Sequence, residues 1–230
     1  MKLCMFHPED HPLERGWVGR VDGDRVIQLA AQTLQSFFLG GGRAREHAEY
    51  TLDAVTLLAP VQYPPTVRIF DAAERFRFAN ASAVVGPGTP VHPPARRLDG
   101  IARLAAVVGA EGAIAGFTAL LEWVAPELPE AKRADFGLVL GPTVVTLDVA
   151  DPGAFATVIR RAGDGDGTTA AAATAFDWEA ARAFAERGTF LRAGDVLAGP
   201  PLGAAEDVSD GLEVDVEEIG TLVCPVAEAT

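Results

Sequence analysis

The fold is decided by residues 98–109, which read LDGIARLAAVVG. The end of this stretch, residues 104–109, is apolar throughout and predicts a strand. A second stretch, GFTALLEW at residues 116–123, follows after a connection of six residues. Further out lie FRFANASAVVGPGTPVHPP at residues 76–94, in which residues 82–91 predict a strand running into a Gly-Pro turn, and LRAGDVLAGPPLG at residues 191–203. Together these segments predict a β-rich α+β protein with few helices.

The remaining elements are short. Residues 17–29 predict a hairpin, because Asp22 and Gly23 supply a turn between two runs rich in β-formers. Residues 177–188 predict the clearest helix, with Asp177 as its N-cap. The other expected elements are a helix at 30–39, strands at 82–91, 141–149 and 211–226, and a loop at 163–173.

A proline-marked linker, LLAPVQYPP at residues 57–65, separates two parts of the chain. The sequence therefore predicts a small N-terminal domain over residues 1–60 and a main domain over residues 61–230.

Composition limits the kinds of partner. The chain has 230 residues, of which 49% are hydrophobic and 22% charged, and its net charge is −13. An acidic chain repels phosphate backbones and anionic lipid, so nucleic-acid and membrane partners are not expected. Two cysteines without a CxxC spacing imply no disulfide framework. With no signal peptide or membrane-spanning run evident, the expected location is the cytoplasm.

The four quoted stretches, in this order and with this spacing, resemble motifs of the fumarylacetoacetate hydrolase family. Residues 76–94 resemble F-x-S-N-P-x-x-I-x-G-P-x-x-P-V-x-x-P, and residues 98–109 resemble L-D-Y-E-x-E-L-A-V-V-I-G. Residues 116–123 resemble G-F-T-x-x-N-D-W, and residues 191–203 resemble L-R-P-G-D-V-I-x-x-G-T-P-x-G. The likeness covers about residues 57–226. It implies a mixed β-barrel or β-sandwich-roll core with a small N-terminal domain, and a homodimer.

The resemblance also implies a metal site, which this sequence departs from. Family members hold Mg²⁺, Mn²⁺ or Ca²⁺ with carboxylates and stabilise an enolate on that ion. Two glutamates of the family's strand fall on Ile101 and Arg103, neither of which ligates a metal. The family's aspartate in G-F-T-x-x-N-D-W falls on Glu122. We therefore expect the metal to be lost and no cofactor to be bound.

The family's R-D-F-x-x-F-E-x-H motif reads RIFDAAERF at residues 68–76, so its aspartate falls on Ile69 and its catalytic histidine on Phe76. Arg68 and Glu74 are retained. The active-site lysine of G-K-D-F-x-T is also replaced, with Lys132 two residues upstream of that position and Asp135 matching the motif. The predicted catalytic residues are Arg103, Glu122 and Arg68. The predicted substrate-binding residues are Glu74, Phe76, Phe78, Trp123, Lys132 and Asp135.

Each of these residues also has a structural interpretation. Arg103 is either a fixed electrophile for a substrate oxyanion or one half of a salt bridge with Glu122. Glu122 is either a general base or the partner of Arg103. Phe76 and Trp123 either line an apolar ligand site or pack in the core.

Three functions remain open from the sequence. The first is a metal-independent isomerase or cyclase that carries out an enol-type rearrangement of a carbonyl compound, with a place in secondary metabolism. The second is a non-catalytic subunit that binds a ligand or a partner. The third is a residual metal-dependent hydrolase or decarboxylase, with a site rebuilt from Asp71, Glu74 and Glu122. The expected ligand is a small carbonyl-containing molecule.

Overall fold

A twelve-stranded mixed sheet is the main element of the computed structural model of the chain, which describes residues 1–149, 151–153, 155–162, 168–170 and 176–227. Ten of its strands lie in the order β4-β3-β2-β1-β11-β10-β9-β14-β6-β7, while β5 pairs with β1 and β8 with β11. Its strands are β1 (Lys2–Pro8), β2 (Trp17–Asp22), β3 (Arg25–Leu29), β4 (Glu46–Thr51), β5 (Val55–Leu58), β6 (Val67–Ala72), β7 (Arg75–Ala79), β8 (Val84–Val85), β9 (Asp99–Val108), β10 (Ile114–Val124), β11 (Leu138–Thr146) and β14 (Val196–Ala205).

A second sheet of four antiparallel strands has the order β13-β12-β15-β16. Its strands are β12 (Thr157–Arg161), β13 (Thr168–Ala170), β15 (Gly211–Val216) and β16 (Gly220–Pro225). The helices of the described residues are α1 (Leu34–Leu39) and α2 (Trp178–Glu186), along with short 3₁₀ turns. This β-rich architecture with few helices confirms the predicted fold class.

The large sheet is covered on both faces, because successive side chains of a strand point to opposite sides. On β10, Leu121 and Trp123 belong to a core shared with β15, β16 and α2. Leu120 of the same strand belongs to a second core, with Leu138 of β11 and residues of α1 and β1. Buried on both sides, the central strands therefore read as continuous apolar runs rather than alternating ones.

Several predicted elements are confirmed. The hairpin at 17–29 consists of β2 and β3, which pair through Asp22 and Arg25 at the turn. The single strand predicted at 211–226 is instead two strands, β15 and β16, which form a hairpin around a turn at residues 217–219. Helix α2 begins after Asp177, whose carboxylate accepts from the backbone N–H of Ala180 at 2.8 Å. This N-cap satisfies one of the unpaired donors at the start of the helix.

Other elements differ from the sequence prediction. The helix expected from residue 30 begins only at Leu34, because Thr33 and Ser36 form a capping box that fixes the start there. The strand expected at 82–91 is confined to Val84–Val85, and the residues before it form a 3₁₀ turn capped by Asn80. Part of the loop expected at 163–173 is strand β13, whereas 163–167 and 171–173 lie outside the described residues.

The N-terminal strands continue the large sheet. Strand β1 pairs antiparallel with β11, with Leu3 opposite Val144, and it also pairs with β2 and β5. The domain boundary near residue 60 stays a prediction. Neither of the two helices has the length and apolar character needed to cross a bilayer.

Gly116 provides a test of how β10 fits against β11. A Cβ atom at this position would lie 2.4 Å from the backbone oxygen of Val145 and 2.8 Å from Cγ1 of Val144. Because one neighbour is backbone and both strands are buried, we expect Gly116→Ala to lower the free energy of unfolding by about 1–3 kcal/mol. Urea unfolding followed by circular dichroism measures this change.

Gly153→Ala is the matched control, because the nearest atom to its added Cβ is Oδ1 of Asp151 at 3.4 Å. We expect its effect to stay within about 0.5 kcal/mol. Equal stability of the two variants would contradict the close approach at Gly116.

Candidate functional site

Two neighbouring strands carry the first predicted residues of the site. Strands β9 and β10 pair antiparallel, so that Ile101 lies opposite Glu122 and Arg103 lies opposite Leu120. Residues directly opposite each other in such a ladder project from the same face of the sheet. Ile101, Arg103 and Glu122 therefore share one face, and all three line a cavity of about 450 Å³.

The floor of this cavity is an ion pair. Glu122 is fully buried and the Arg103 side chain is 4% exposed. Arg103 donates to Oε2 of Glu122 from Nε at 3.3 Å and from Nη2 at 3.1 Å. Its remaining nitrogen, Nη1, donates to the carbonyl oxygen of Gly199 on β14 at 3.0 Å. The Arg103 guanidinium is thus held in a single orientation by two strands.

A second guanidinium completes the group. Arg77 of β7 donates from Nη2 to Oε1 of Glu122, and its side chain is 47% exposed. Both oxygens of Glu122 are therefore bonded to arginines. With one carboxylate and two guanidiniums, the cluster carries a net charge of +1. The cluster of Arg77, Arg103 and Glu122 is called the arginine–glutamate triad below.

Burial and charge act in opposite directions on Arg103. Removal of the guanidinium from water lowers its pKa, and the attraction and hydrogen bonds of Glu122 oppose that effect. The neighbouring charge of Arg77 lowers the pKa further, although by less. Since arginine remains protonated in proteins, the pair is ionic, and Glu122 compensates the charge that burial penalises.

Sequence reasoning missed Arg77. Its position was indicated by the alternation FRFAN at residues 76–80, which puts Arg77 on the face opposite to Phe76 and Phe78. In the structure Arg77 lies opposite Ile69 of β6. The sequence analysis set Ile69 at the position of a family aspartate, so its pairing with Arg77 across the short β6–β7 turn was the signal that could have found Arg77.

Arg68 and Trp123 were predicted to act in the same pocket, but the structure places both on the other face of the sheet. The Trp123 ring is fully buried in the core that Leu121 also joins, away from Glu122. Arg68 precedes Ile69 on β6 and lies opposite Phe78, whereas Ile69 lies opposite Arg77. Alternation along a strand therefore separates Arg68 from the arginine–glutamate triad.

The two predicted phenylalanines lie beside Arg68. Phe76 is half-buried against Phe70 and Phe184, with ring centroids 5.1 and 5.9 Å away. Phe78 is 64% exposed and borders the cavity at its edge. The sequence prediction required Phe76 to lie beside Arg103 and Glu122, and the structure does not bring them together.

The predicted charged residues lie near the surface. Glu74 is exposed at the β6–β7 turn and lies 3.7 Å from Arg187, so it does not reach the cavity. Asp135 does line the cavity, and its backbone oxygen accepts from Nδ2 of Asn80 at 2.9 Å. Lys132 is exposed and pairs with Asp135, and its hydrogen bond lowers the pKa of the Asp135 carboxyl.

The three carboxylates considered for a rebuilt metal site are not brought together. Asp71 is exposed and lies 3.8 Å from Nε of Arg75, while Glu74 pairs with Arg187 at the surface. Glu122 is enclosed by the two arginines of the triad. In the part of the chain that the structure describes, no group of three or more histidine, cysteine or acidic residues is placed to hold a metal ion.

Solved structures with the same fold match the whole chain. A fumarylacetoacetate hydrolase from Exiguobacterium antarcticum is 21% identical, with a TM-score of 0.80 over 100% of both chains. A maleylpyruvate hydrolase from Sphingobium sp. SYK-6, in complex with manganese(II) and pyruvate, is 20% identical, with a TM-score of 0.78 over 100% of both chains. A 5-carboxymethyl-2-hydroxymuconate delta-isomerase from Mycobacterium smegmatis is 20% identical, with a TM-score of 0.76 over 99% of both chains. Comparison with curated proteins gives no match.

The manganese-bound neighbour overturns one sequence prediction. The expectation that no metal cofactor belongs to this protein is wrong, because a structure of the same fold and length holds manganese(II) together with pyruvate. The physical reason is that a hard cation also takes water, backbone carbonyls and substrate oxygens as ligands. The predicted replacement of two glutamates by Ile101 and Arg103 therefore could not establish loss of the ion.

The residues of the arginine–glutamate triad do not themselves fit such an ion. Both oxygens of Glu122 accept from guanidiniums, and Arg103 would repel a cation at that position. The groups available for chemistry at the floor of the cavity are accordingly the side chains of the triad.

A model of the fumarylacetoacetate (FAA) hydrolase C-terminal family matches residues 44–227. This match covers most of the chain, including the β9–β10 pair, the cavity and the β14 motif. The resemblance inferred from four short motifs is thereby confirmed, and the chain belongs to the fumarylacetoacetate hydrolase family.

Proposed function

We propose that this protein is an enzyme that isomerises a small carbonyl compound through an enol or enolate. The single observation that carries the proposal is the arginine–glutamate triad on the floor of the cavity. A fully buried carboxylate is held there between one fixed guanidinium and one that reaches solvent. Family membership and the enzymatic fold neighbours, which include hydrolases and an isomerase, support an enzymatic role.

The two guanidiniums have different roles in this proposal. Arg103 has all three nitrogens engaged, so it fixes Glu122 and supplies a constant positive potential. Arg77 is half-exposed and bonds Glu122 through Nη2. Arg77 turns from Glu122 to the carbonyl oxygen of the bound compound, which it polarises as a preorganised cation.

The freed Oε1 of Glu122 then acts as the base. It takes a proton from a carbon next to the carbonyl, and the electron pair moves into the carbonyl to give an enolate oxygen beside Arg77. Glu122 returns the proton to a different carbon, which regenerates the carboxylate. The compound changes only the position of a proton and a double bond, so the step needs no other reactant.

A non-catalytic binding protein is the second candidate. The observation that favours it is that both oxygens of Glu122 are already occupied by arginines. In that case the triad stabilises the fold, and the cavity holds its ligand without moving a proton. The absence of proton exchange in the experiment below would favour this function.

Assembly and location were predicted from the sequence and its family resemblance, and no observation tests them. A homodimer, a cytoplasmic location and a role in secondary metabolism stay predictions. The proposed ligand remains a small carbonyl-containing molecule, and nucleic acid and membranes are not expected partners.

Exchange of carbon-bound protons with deuterium oxide tests the proposed chemistry, because every enol-type rearrangement begins with this step. Pyruvate, which the manganese-bound neighbour holds, serves as the first probe. Proton NMR of its methyl group, with Mg²⁺ in every sample, should show faster exchange with the protein than without it. We expect Glu122→Gln to slow this exchange about 100-fold or more, since the amide cannot accept the proton.

Arg77→Gln is a second variant, because its half-exposed side chain can be changed without opening the core. It should retain the fold and slow exchange at least about tenfold through loss of the polarising charge. Arg25→Gln is the control, since Arg25 pairs with Glu49 on the exposed N-terminal hairpin. Equal exchange in the protein, in both triad variants and in buffer would refute the proposed isomerase.

The buried pair also has a measurable effect on stability. Glu122→Leu leaves Arg103 buried with only the carbonyl of Gly199 as acceptor, and it should lower the free energy of unfolding by about 3–5 kcal/mol. Arg103→Leu leaves Glu122 bonded to Arg77 alone, so its loss should be smaller. The double variant removes both charges, so its loss should be well below the sum of the two. Urea unfolding of the four proteins gives this coupling, and simple additivity would show that the pair is not coupled.

A further inference from the structure

A buried cation outside the triad is unexplained by the proposed function. Arg68 lies on β6 with its side chain on the face that Phe70 shares, whereas the neighbouring Ile69 faces the second core. In register, Arg68 lies opposite Phe78 of β7 and beside Leu197 of β14. Both partners lie on the same face, so Arg68 and the cavity are on opposite sides of the sheet.

Arg68 also differs from the other buried charges of the described chain. It is 4% exposed, and its Nε and Nη1 atoms are buried without a hydrogen-bond partner among the described residues. By contrast, Arg103 and Glu122 are bonded to each other, and the buried Asp195 accepts from Thr66 and from the backbone of Arg192. A buried guanidinium with free donors indicates an acceptor that the described residues do not supply.

Two aromatic rings flank the cation. The Cζ atom of Arg68 lies 5.5 Å from the ring centroid of Phe76 and 5.5 Å from that of Phe78. The rings meet edge to face, with centroids 5.4 Å apart. Such faces stabilise a cation electrostatically, but they offer no acceptor for its N–H groups. The surroundings therefore suit a guanidinium and leave its hydrogen-bonding capacity unused.

One of the two rings can move away. Phe78 is 64% exposed, and among the strands that the structure describes β7 ends the large sheet and pairs only with β6. Rotation of this ring toward solvent opens Arg68 without disturbing a core residue. Phe76, which is half-buried against Phe70 and Phe184, remains as a fixed apolar wall.

We propose that Arg68, Phe76 and Phe78 form a second ligand site, on the face of the sheet away from Glu122, which takes the carboxylate of a small acid with a flat apolar body. The carboxylate accepts from the unused donors of Arg68, since a guanidinium bonds carboxylates through charge-assisted hydrogen bonds. The flat body lies against the rings of Phe76 and Phe78. Neither contact involves the arginine–glutamate triad.

The net charge of the chain favours selective over non-specific binding of an acid at this site. With a net charge of −13, the surface repels anions in general, so non-specific attraction of an acid is weak. Binding then depends on the local cation and on contact with the rings. A neutral amide of the same shape keeps the ring contact and loses the ionic one.

Isothermal titration calorimetry with sodium benzoate tests the site, with benzamide as the neutral counterpart. We expect the native protein to bind benzoate and Arg68→Met to lose at least about tenfold in affinity, the loss of one charge-assisted contact. Benzamide should bind weakly to both proteins. Because Arg68→Met removes an unpaired buried charge, its unfolding temperature should be equal to or above that of the native protein.

Arg77→Gln separates the two sites, because it changes the cavity and leaves Arg68 intact. Benzoate affinity should be unchanged in this variant. Loss of binding in Arg77→Gln with retention in Arg68→Met would place benzoate in the cavity and overturn the second site. No benzoate binding by the native protein would overturn it as well, and so would unchanged binding in Arg68→Met.

A second measurement does not depend on the folding of an Arg68 variant. With 4-fluorophenylalanine at position 76, which does not line the cavity, and native Arg68, titration with benzoate should shift the fluorine NMR resonance and saturate at the calorimetric affinity. The same label at Phe6, which packs against Trp17 and Tyr50 in the N-terminal part, is the control and should not shift. An unshifted resonance at position 76 would overturn the proposal.

Discussion

The ion pair between Arg103 and Glu122 joins two consecutive strands and is bonded to two others that lie further away in sequence. Arg103 lies on β9 and Glu122 on β10, while the carbonyl of Gly199 on β14 and the side chain of Arg77 on β7 bond to the same group. A buried charge without its partner is strongly unfavourable, so these contacts fix the relative positions of four strands. The floor of the cavity is therefore held by hydrogen bonds from several strands, and Arg77 is the half-exposed member of the triad.

The sequence predicted the fold class and family well, and the reason is physical. Motifs such as LDGIARLAAVVG and GFTALLEW form central strands that are buried on both faces of the sheet. Such burial requires a continuous run of apolar residues, and that run is visible in the sequence. The pairing of Arg103 with Glu122 was also within reach, because both lie on strands that the family motifs align. The boundaries of α1 and of the short strand β8 were not predicted correctly, because caps and turns decide where these elements begin and end.

The rest of the site could not be predicted, because it depends on which face a residue occupies. Arg68, Phe76 and Trp123 were assigned to the pocket by their position in a motif, and all three lie across the sheet from Glu122. Arg77 was overlooked although it adjoins two predicted residues. A motif gives the order of residues along a strand, whereas a site also requires the face of the sheet that each residue occupies, and the pairing of the strands decides that face. The metal prediction failed for a related reason, because counting side-chain carboxylates leaves out the water, carbonyl and substrate oxygens that complete a coordination sphere.

The adjacency of Arg68 and Ile69 has a consequence for how such proteins diverge. The side chains of these two neighbours on β6 lie on opposite faces of the sheet. The β6–β7 hairpin therefore separates two regions of different chemistry. A single-residue insertion ahead of Arg68 would exchange the faces, moving a cation into the cavity and an aliphatic side chain toward the phenylalanines. A single insertion at the end of an edge hairpin can thus move a charge from one face of the sheet to the other while Arg68 and Ile69 themselves are unchanged. Relatives of similar composition can on this basis differ in which face is cationic, and a comparison residue by residue would not detect the difference.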